Sequence, residues 1–212
     1  MVAKLRGVLG IKKIGHAGTL DPLAEGVLVV LTEKDTKKQD SFMKMEKEYV
    51  AEIAFGAASE SYDLERELVV SEGGMLGVVG VDGIREQLEK ALPSFAGEIE
   101  QTVPPYSAVK VKGKRLYKHA HKGRKIENLP VKKVTLYSSE ILSVLEKEIA
   151  PKVVLPTAKI KITCSSGFYV RSLAHDLGER LGTGAVLVSL VRTKVGNYKV
   201  EDSKTIESLS QQ

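Results

Sequence analysis

Two long β-branched runs dominate the second half of the chain: Val131 to Val144 and Val153 to Cys164. Both read as long strands. A third such run spans Ala185 to Val195, and Tyr49 to Phe55 (YVAEIAF) alternates apolar and polar residues as a half-buried strand does. Helical spacing lies between them. Val2, Leu5, Val8 and Leu9 recur at helical intervals, so the chain opens on a helix with no Ser, Thr, Asp or Asn cap before it. Ile84 to Leu92 is amphipathic. Val170, Leu173, Ala174, Leu177 and Leu181 share one helix face, closed by Gly182 as C-terminal cap. Val27 to Thr32 reads as a buried strand and Thr36 to Met43 as a short helix. Residues 56–80 read as a loop with short strand pieces. Pro93 to Lys133 reads as loop-rich, with one short helix near Leu116 to Ala120. Long alternating strands with interspersed helices imply an α+β fold, its central sheet mixed or mainly antiparallel.

Charge is distributed unevenly. The net value of +5 is a weak hint by itself. From Lys110 to Lys133, however, ten Lys and Arg face a single acid, Glu127. That is a local positive field, suited to a polyanion, although an ordinary basic loop has the same composition. The lone cysteine, Cys164, excludes an internal disulfide and fits a reducing cytoplasm. No apolar run reaches the length of a membrane span, and no signal peptide is evident.

Two segments are candidates for chemistry. The first is GHAGTLDPLAEG, Gly15 to Gly26. It lacks GxGxxG, and no Gly-Lys-Ser/Thr follows, so it is not a phosphate loop. Pro22 disfavours the helical region for Asp21, which should sit extended. Gly15 and Gly18 leave room for another backbone. The segment is either a structural Asp-Pro turn, the plainer reading, or a carboxylate fixed at the bottom of a concave loop. The second is CSSGFYVRSLAHDLGERLG, Cys164 to Gly182, where a strand ends, Gly167 turns the chain and a helix begins near Tyr169. Arg171 sits on the first turn of that helix, as a surface arginine or as partner to a distant carboxylate. The histidines His16, His119, His121 and His175 form no HExxH, and no CxxC exists, so no metal centre is expected. Cys164, at a strand end, reads as a small core residue.

Four segments in order, GHAGTLDPLAEGVL, KEYVAEIAFG, QTVPPYSAVKVKGKRLYKHAHKG and CSSGFYVRSLAHDLGERLGTGA, resemble the TruB family of tRNA pseudouridine synthases. The likeness runs from about Leu5 to Leu209 and is nearer the bacterial form than the guide-RNA-dependent relative. The resemblance implies a pseudouridine synthase fold and conversion of uridine to pseudouridine at position 55 in the T-loop of tRNA, with no cofactor and no obligatory protein partner, by a monomer. Asp21 matches the catalytic aspartate, Tyr169 an active-site tyrosine, and Arg171 the arginine that pairs with the aspartate. Tyr49 matches the tyrosine that stacks on the target base, and Leu190 an apolar wall of the uracil pocket. His16 matches a histidine entering the RNA loop, and Gly18, Lys37, Lys110, Lys112, Lys114 and Arg115 are expected RNA contacts. Residues 1–212 are expected to form one catalytic domain, with residues 102–133 as an insertion folding over RNA. The chain is expected to start inside the family's first helix, without the usual preceding strand and Lys-Pro-x-Gly-x-Thr-Ser motif. A C-terminal RNA-binding domain of the kind many members carry is not expected.

The residue chemistry agrees with that reading. A base stacked in an RNA loop must be flipped out before its glycosidic bond can be reached. Aromatic stacking platforms and basic side chains are the usual means of recognising such loops. Opposite charge nearby favours an ionised carboxylate, which Arg171 would supply to Asp21. Three other readings compete: a non-catalytic RNA-binding or tRNA-folding protein, a synthase for another RNA, and an unrelated glycosidase. A pure binder has no use for a carboxylate facing RNA, and a classical glycosidase needs a second one. Replacing Lys110, Lys112 and Arg115 by Gln together should lower the slope of log affinity against log salt by about one unit for each phosphate no longer neutralised. Single-turnover chemistry at saturating tRNA should persist; its collapse would give these residues another role.

Overall fold

The computed structural model describes residues 1–71, 76–111, 113–120 and 128–209. The first half contains α1 (Val2–Leu9), β1 (Ile14–His16), β2 (Ala24–Gly26), β3 (Val30–Thr32), α2 (Gln39–Met43) and β4 (Lys47–Phe55). A small pair, β5 (Ala57–Ala58) with β6 (Val69–Val70), precedes α3 (Leu76–Ala91), β7 (Gly97–Thr102) and a second small pair, β8 (Lys110–Val111) with β9 (Lys114–Arg115). Then follow α4 (Leu116–Ala120), β10 (Val131–Ala150), β11 (Val153–Cys164), α5 (Val170–Leu181), β12 (Ala185–Val195), β13 (Tyr198–Lys199) and α6 (Ile206–Leu209). No helix among the described residues is long and apolar enough to cross a membrane.

The β-branched runs do what their composition implies. They build a sheet in the order β13-β12-β4-β11-β10-β7. All pairs along that path are antiparallel, while β2 joins β12 in parallel, so the sheet is mixed and mainly antiparallel. Period-two alternation sends Ala51, Ile53 and Phe55 of β4 to one face with Ile160 and Ile162 of β11. Leu173, Ala174 and Leu177 of α5 and Ile84 and Leu88 of α3 cover that face, and none of these ten side chains is exposed to solvent. Removing each large aliphatic side chain from water contributes about 1.5–3 kcal/mol. The opposite face carries a smaller cluster of Ala54, Ala57, Leu155 and Val186.

Several boundaries follow the sequence closely: α1, α4, β11, α5 and β12 lie where periodicity puts them. Gly182 caps α5 in the left-handed conformation (φ 69°), and Gly167 turns the chain at φ 83°. Others differ. Of the single strand expected over Val27–Thr32, only Val30–Thr32 forms as β3; the chain changes partners just before it, from β12, which β2 pairs with, to β1, which β3 pairs with. The expected helix at Ile84–Leu92 is the second part of α3, which is broken at Gly80. β7 lies in a stretch expected to be loop; GEIEQT lacks an apolar stripe, and its pairing with β10 supplies the order. β10 runs to Ala150, six residues beyond its apolar portion, because pairing with β11 carries Leu145–Ala150 along.

α5 reaches the sheet through a position without a side chain. A Cβ on Gly178 would sit 2.5 Å from the carbonyl carbon of Gly184 and under 3 Å from the backbone nitrogen of Ala185. Alanine gains about 1 kcal/mol of helix propensity over glycine. Overpacking against backbone costs about 1–3 kcal/mol or more, so the clash should win. Gly178→Ala should lower unfolding stability in urea titration; an unchanged or raised midpoint would mean that α5 can shift outward freely.

Candidate active site

The loop joining β1 to β2 carries Asp21. Ala24 N–H donates to the Asp21 carbonyl at 2.9 Å, closing a turn with Pro22 inside it. Gly18 (φ 100°) and Gly26 (φ 101°) adopt backbone conformations that side chains disfavour. The close backbone approach expected at Gly15 and Gly18 occurs instead at Gly26, whose added Cβ would overlap the main chain of Arg192; at Gly15 a Cβ would make only ordinary contacts.

Arg171, 150 residues later in the chain, meets this carboxylate with two parallel hydrogen bonds. Nε donates to Oδ2 at 2.9 Å and Nη2 to Oδ1 at 3.1 Å. The surface reading of Arg171 therefore fails: its side chain is 3% exposed, against 34% for Asp21. Nη2 also donates to the Tyr106 carbonyl at 3.1 Å and Nη1 to the Ser61 carbonyl at 3.2 Å. Nη1 lies 3.4 Å from Oδ2 of Asp63. The guanidinium thus donates four hydrogen bonds and adds an ion pair with Asp63, whose Oδ2 accepts no hydrogen bond among the described residues. Asp63 is itself fully buried, and its Oδ1 accepts from Ser61 Oγ at 2.5 Å and from Glu65 N–H at 3.0 Å. A buried carboxylate behind the arginine and a partly exposed one before it make a linear Asp–Arg–Asp arrangement.

A small pocket of about 100 Å³ opens over Asp21, walled by Tyr49, Phe168, Tyr169, Val170 and Leu190 together with loop residues. Asp63 lines no part of it, so the second carboxylate that a glycosidase would require does not face the cavity. Tyr49 comes from β4, Leu190 from β12, and Phe168, Tyr169 and Val170 from the turn into α5. The backbone of Tyr169 is held on both sides by the buried Gln101 side chain. Gln101 Nε2 donates to its carbonyl at 3.1 Å, and its N–H donates to Gln101 Oε1 at 2.9 Å. Ser172 Oγ donates to the Thr102 carbonyl at 2.7 Å. Burial raises the Tyr49 phenol above its usual range. Burial first and the charge of Asp21 second raise Tyr169 as well. Both therefore stay protonated at neutral pH.

The remaining expected residues lie elsewhere. His16 is in β1, with Nδ1 buried and unpartnered among the described residues. Lys37, Lys110, Lys114 and Arg115 are exposed, and none lines the pocket. Lys110 and Arg115 are cross-strand partners in the β8–β9 pair. Lys112, like Lys122, Arg124, Lys125 and His121, lies outside the described residues. Lys132, from the start of β10, sits over the Tyr169 ring at 5.5 Å. Cys164 is a core residue whose thiol burial pushes up to about 12, far from a nucleophile's range. No cluster of three or more His, Cys, Asp or Glu suited to a metal occurs among the described residues. Asp63 and Gln101 were not singled out by sequence. The SYDLERE segment carries no spacing signal, and a buried glutamine that bonds main chain leaves no pattern to read.

Comparison with known proteins agrees with this geometry. The family described as "TruB family pseudouridylate synthase (N terminal domain)" matches residues 6–170, and "tRNA pseudouridylate synthase B C-terminal domain" matches residues 171–212. The boundary between them falls inside α5. A tRNA pseudouridine synthase B from Phocaeicola vulgatus is 45% identical over 203 residues, covering 94% of this chain and 79% of the relative. The Clostridium tetani protein of that name is 38% identical over 212 residues, covering 100% and 68%. That from Aquifex aeolicus is 39% identical over 207 residues, covering 98% and 67%. Among solved structures, an archaeal box H/ACA sRNP Nop10–Cbf5 complex contains a chain that superposes with a TM-score of 0.62 at 25% identity, covering 99% of this chain and 48% of that one. A Cbf5–Nop10–Gar1 complex contains another at 0.60 and 30% identity, covering 93% and 45%. This chain thus spans about half the length of the solved chains it matches. With both family matches covering nearly all of the sequence, the chain belongs to the TruB family of pseudouridylate synthases.

Proposed function

We propose that this protein isomerises uridine to pseudouridine in tRNA, at position 55 of the T-loop, with Asp21 as its catalytic carboxylate. The observation that carries the reading is the two-pronged Asp21–Arg171 pair at the floor of a pocket walled by Tyr49, Tyr169 and Leu190. The pocket is too recessed for a base stacked within RNA, so the target uridine is flipped into it. Tyr49 offers its ring to the base, a stacking interaction contributing about 1–3 kcal/mol. Leu190 closes the apolar side. Arg171, engaged by four hydrogen bonds and the Asp63 ion pair, orients the carboxylate toward the sugar and the base rather than touching them.

The reaction breaks C1′–N1, turns the uracil and forms C1′–C5. The proton leaves C5 and one is gained at N1, so no atom, electron or external group enters or leaves. A carboxylate, a pocket that retains the detached base and a proton relay are what this balance requires. Tyr169 relays the C5 proton in this reading, which its place in the Asp21 pocket supports. The basic segment supplies phosphate contacts. Lys110 directly opposite Arg115 is unfavourable without an anion between or above them, which suits RNA. Residues 102–133 act as the RNA-covering insertion of a single catalytic unit, working as a monomer in the cytoplasm without an obligatory protein partner.

The test is incubation with an unmodified tRNA transcript and mapping of pseudouridine. Wild type should place it at position 55. Asp21→Asn should form none, a loss of at least about 10⁴-fold in single-turnover rate, while binding the transcript within about threefold of wild type. Turnover by Asp21→Asn near the wild-type rate would remove Asp21 from the chemistry.

A further inference from the structure

Arg192 is the largest fully buried side chain among the described residues, at 2% exposed. It makes no ion pair among the described residues, unlike Arg171. A buried cation without a carboxylate is costly and persists only where other groups satisfy it. Here they are main-chain carbonyls at two ends of one loop, with the Tyr49 phenol beside the guanidinium as well. Nε donates to the Val27 carbonyl at 2.7 Å, and Nη2 donates to the Gly18 carbonyl at 3.1 Å. Gly18 precedes Asp21 by three residues and Val27 follows it by six. The backbone of Arg192 completes the attachment: its carbonyl accepts from Val27 N–H at 2.8 Å. Leu190, Val191 and Arg192 pair in parallel register with Ala24, Glu25 and Gly26. Gly26 is glycine at φ 101° because a Cβ there would run into Arg192's main chain.

We infer that Arg192 is the positioning residue that staples the catalytic loop closed, fixing where Asp21 stands relative to Arg171 and Tyr49. It does not line the pocket and touches no reacting atom. Its geometry explains why an arginine is used. The two carbonyls lie on separate limbs of the loop, and the rigid fork reaches them from two different nitrogens, a spread that the single nitrogen of an ammonium lacks. Arg192 is also the cross-strand partner of Tyr49, so β12 sets the entry limb, the exit limb and the stacking tyrosine from one residue. Leu190, on the same strand face two residues earlier, meets the pocket itself. The Asp–Arg–Asp line holds the carboxylate from the front, and Arg192 holds its loop from behind.

The inference rests on the proposed activity, and its test separates the two. Arg192→Met removes the fork at similar volume; Arg192→Lys keeps the charge and one hydrogen bond. Single-turnover pseudouridine formation at saturating tRNA should fall about 100-fold in Arg192→Met and about 10-fold in Arg192→Lys, the scale of a misplacement near 1 Å. Affinity for tRNA should stay within about threefold. Amide exchange at Ala24, which bonds the Asp21 carbonyl, should quicken at least about tenfold, while β4 and β11 amides stay as in wild type. Wild-type exchange at Ala24 in Arg192→Lys, or a loosened loop with an unchanged rate, would overturn the inference. If Arg192→Met does not fold, Arg192→Lys decides. If wild type forms no pseudouridine, the proposed activity fails, and Ala24 exchange alone judges the staple.

Discussion

Arg171 is a buried guanidinium, and a cation in that position must be compensated by hydrogen bonds and opposite charge. It finds both on three different stretches of chain: Asp21 in the β1–β2 loop, Ser61 and Asp63 between β5 and β6, and Tyr106 between β7 and β8, with α5 carrying the arginine itself. The sheet and helix core determine where α5 lies; the guanidinium then determines where the loops lie. Removing one member of such a buried set leaves an unsatisfied charge, at a cost of about 3–5 kcal/mol. Segments without regular structure of their own are thus held to a common centre.

The chemistry follows from that centre. Asp63, fully buried, gives Arg171 a second carboxylate neighbour besides Asp21. Hydrogen bonds to main chain do comparable work around the pocket. Gln101 holds Tyr169 by its backbone, leaving the phenol free to face the cavity. In the proposed reaction the apolar walls would exclude water while a detached uracil turns, and two phenols kept protonated by burial would supply donors without adding charge beside a polyanion.

Local periodicity made much of the fold legible. α5 is amphipathic over its length and ends on a left-handed glycine, and β11 and β12 are rich in β-branched residues, so their limits stand in the sequence. β7 and the continuation of β10 are ordered by cross-strand pairing between distant residues, which single-chain periodicity does not carry. The site divides the same way. Asp21, Tyr49, Tyr169 and Arg171 stand in the four ordered family segments and Leu190 five residues past the last of them, and the fold gathers all but Arg171 around one cavity, with Arg171 bonded to its floor. Asp63, Gln101 and Arg192 act on main chain or on another buried charge; no composition or spacing marks such residues. Local reasoning also misassigned the glycines: it looked to Gly15 and Gly18 for the close approach, but that distance depends on Arg192, 166 residues beyond Gly26.

The account turns on the fork of Arg171, not merely its charge. Arg171→Lys keeps a cation in place but cannot hold both Asp21 oxygens while reaching the other three partners. The most direct measurement is its single-turnover rate on saturating unmodified tRNA, taken beside its tRNA affinity. The account predicts a rate reduced about 100-fold or more with affinity within about threefold of wild type. A folded Arg171→Lys protein that modifies tRNA at the wild-type rate would contradict it.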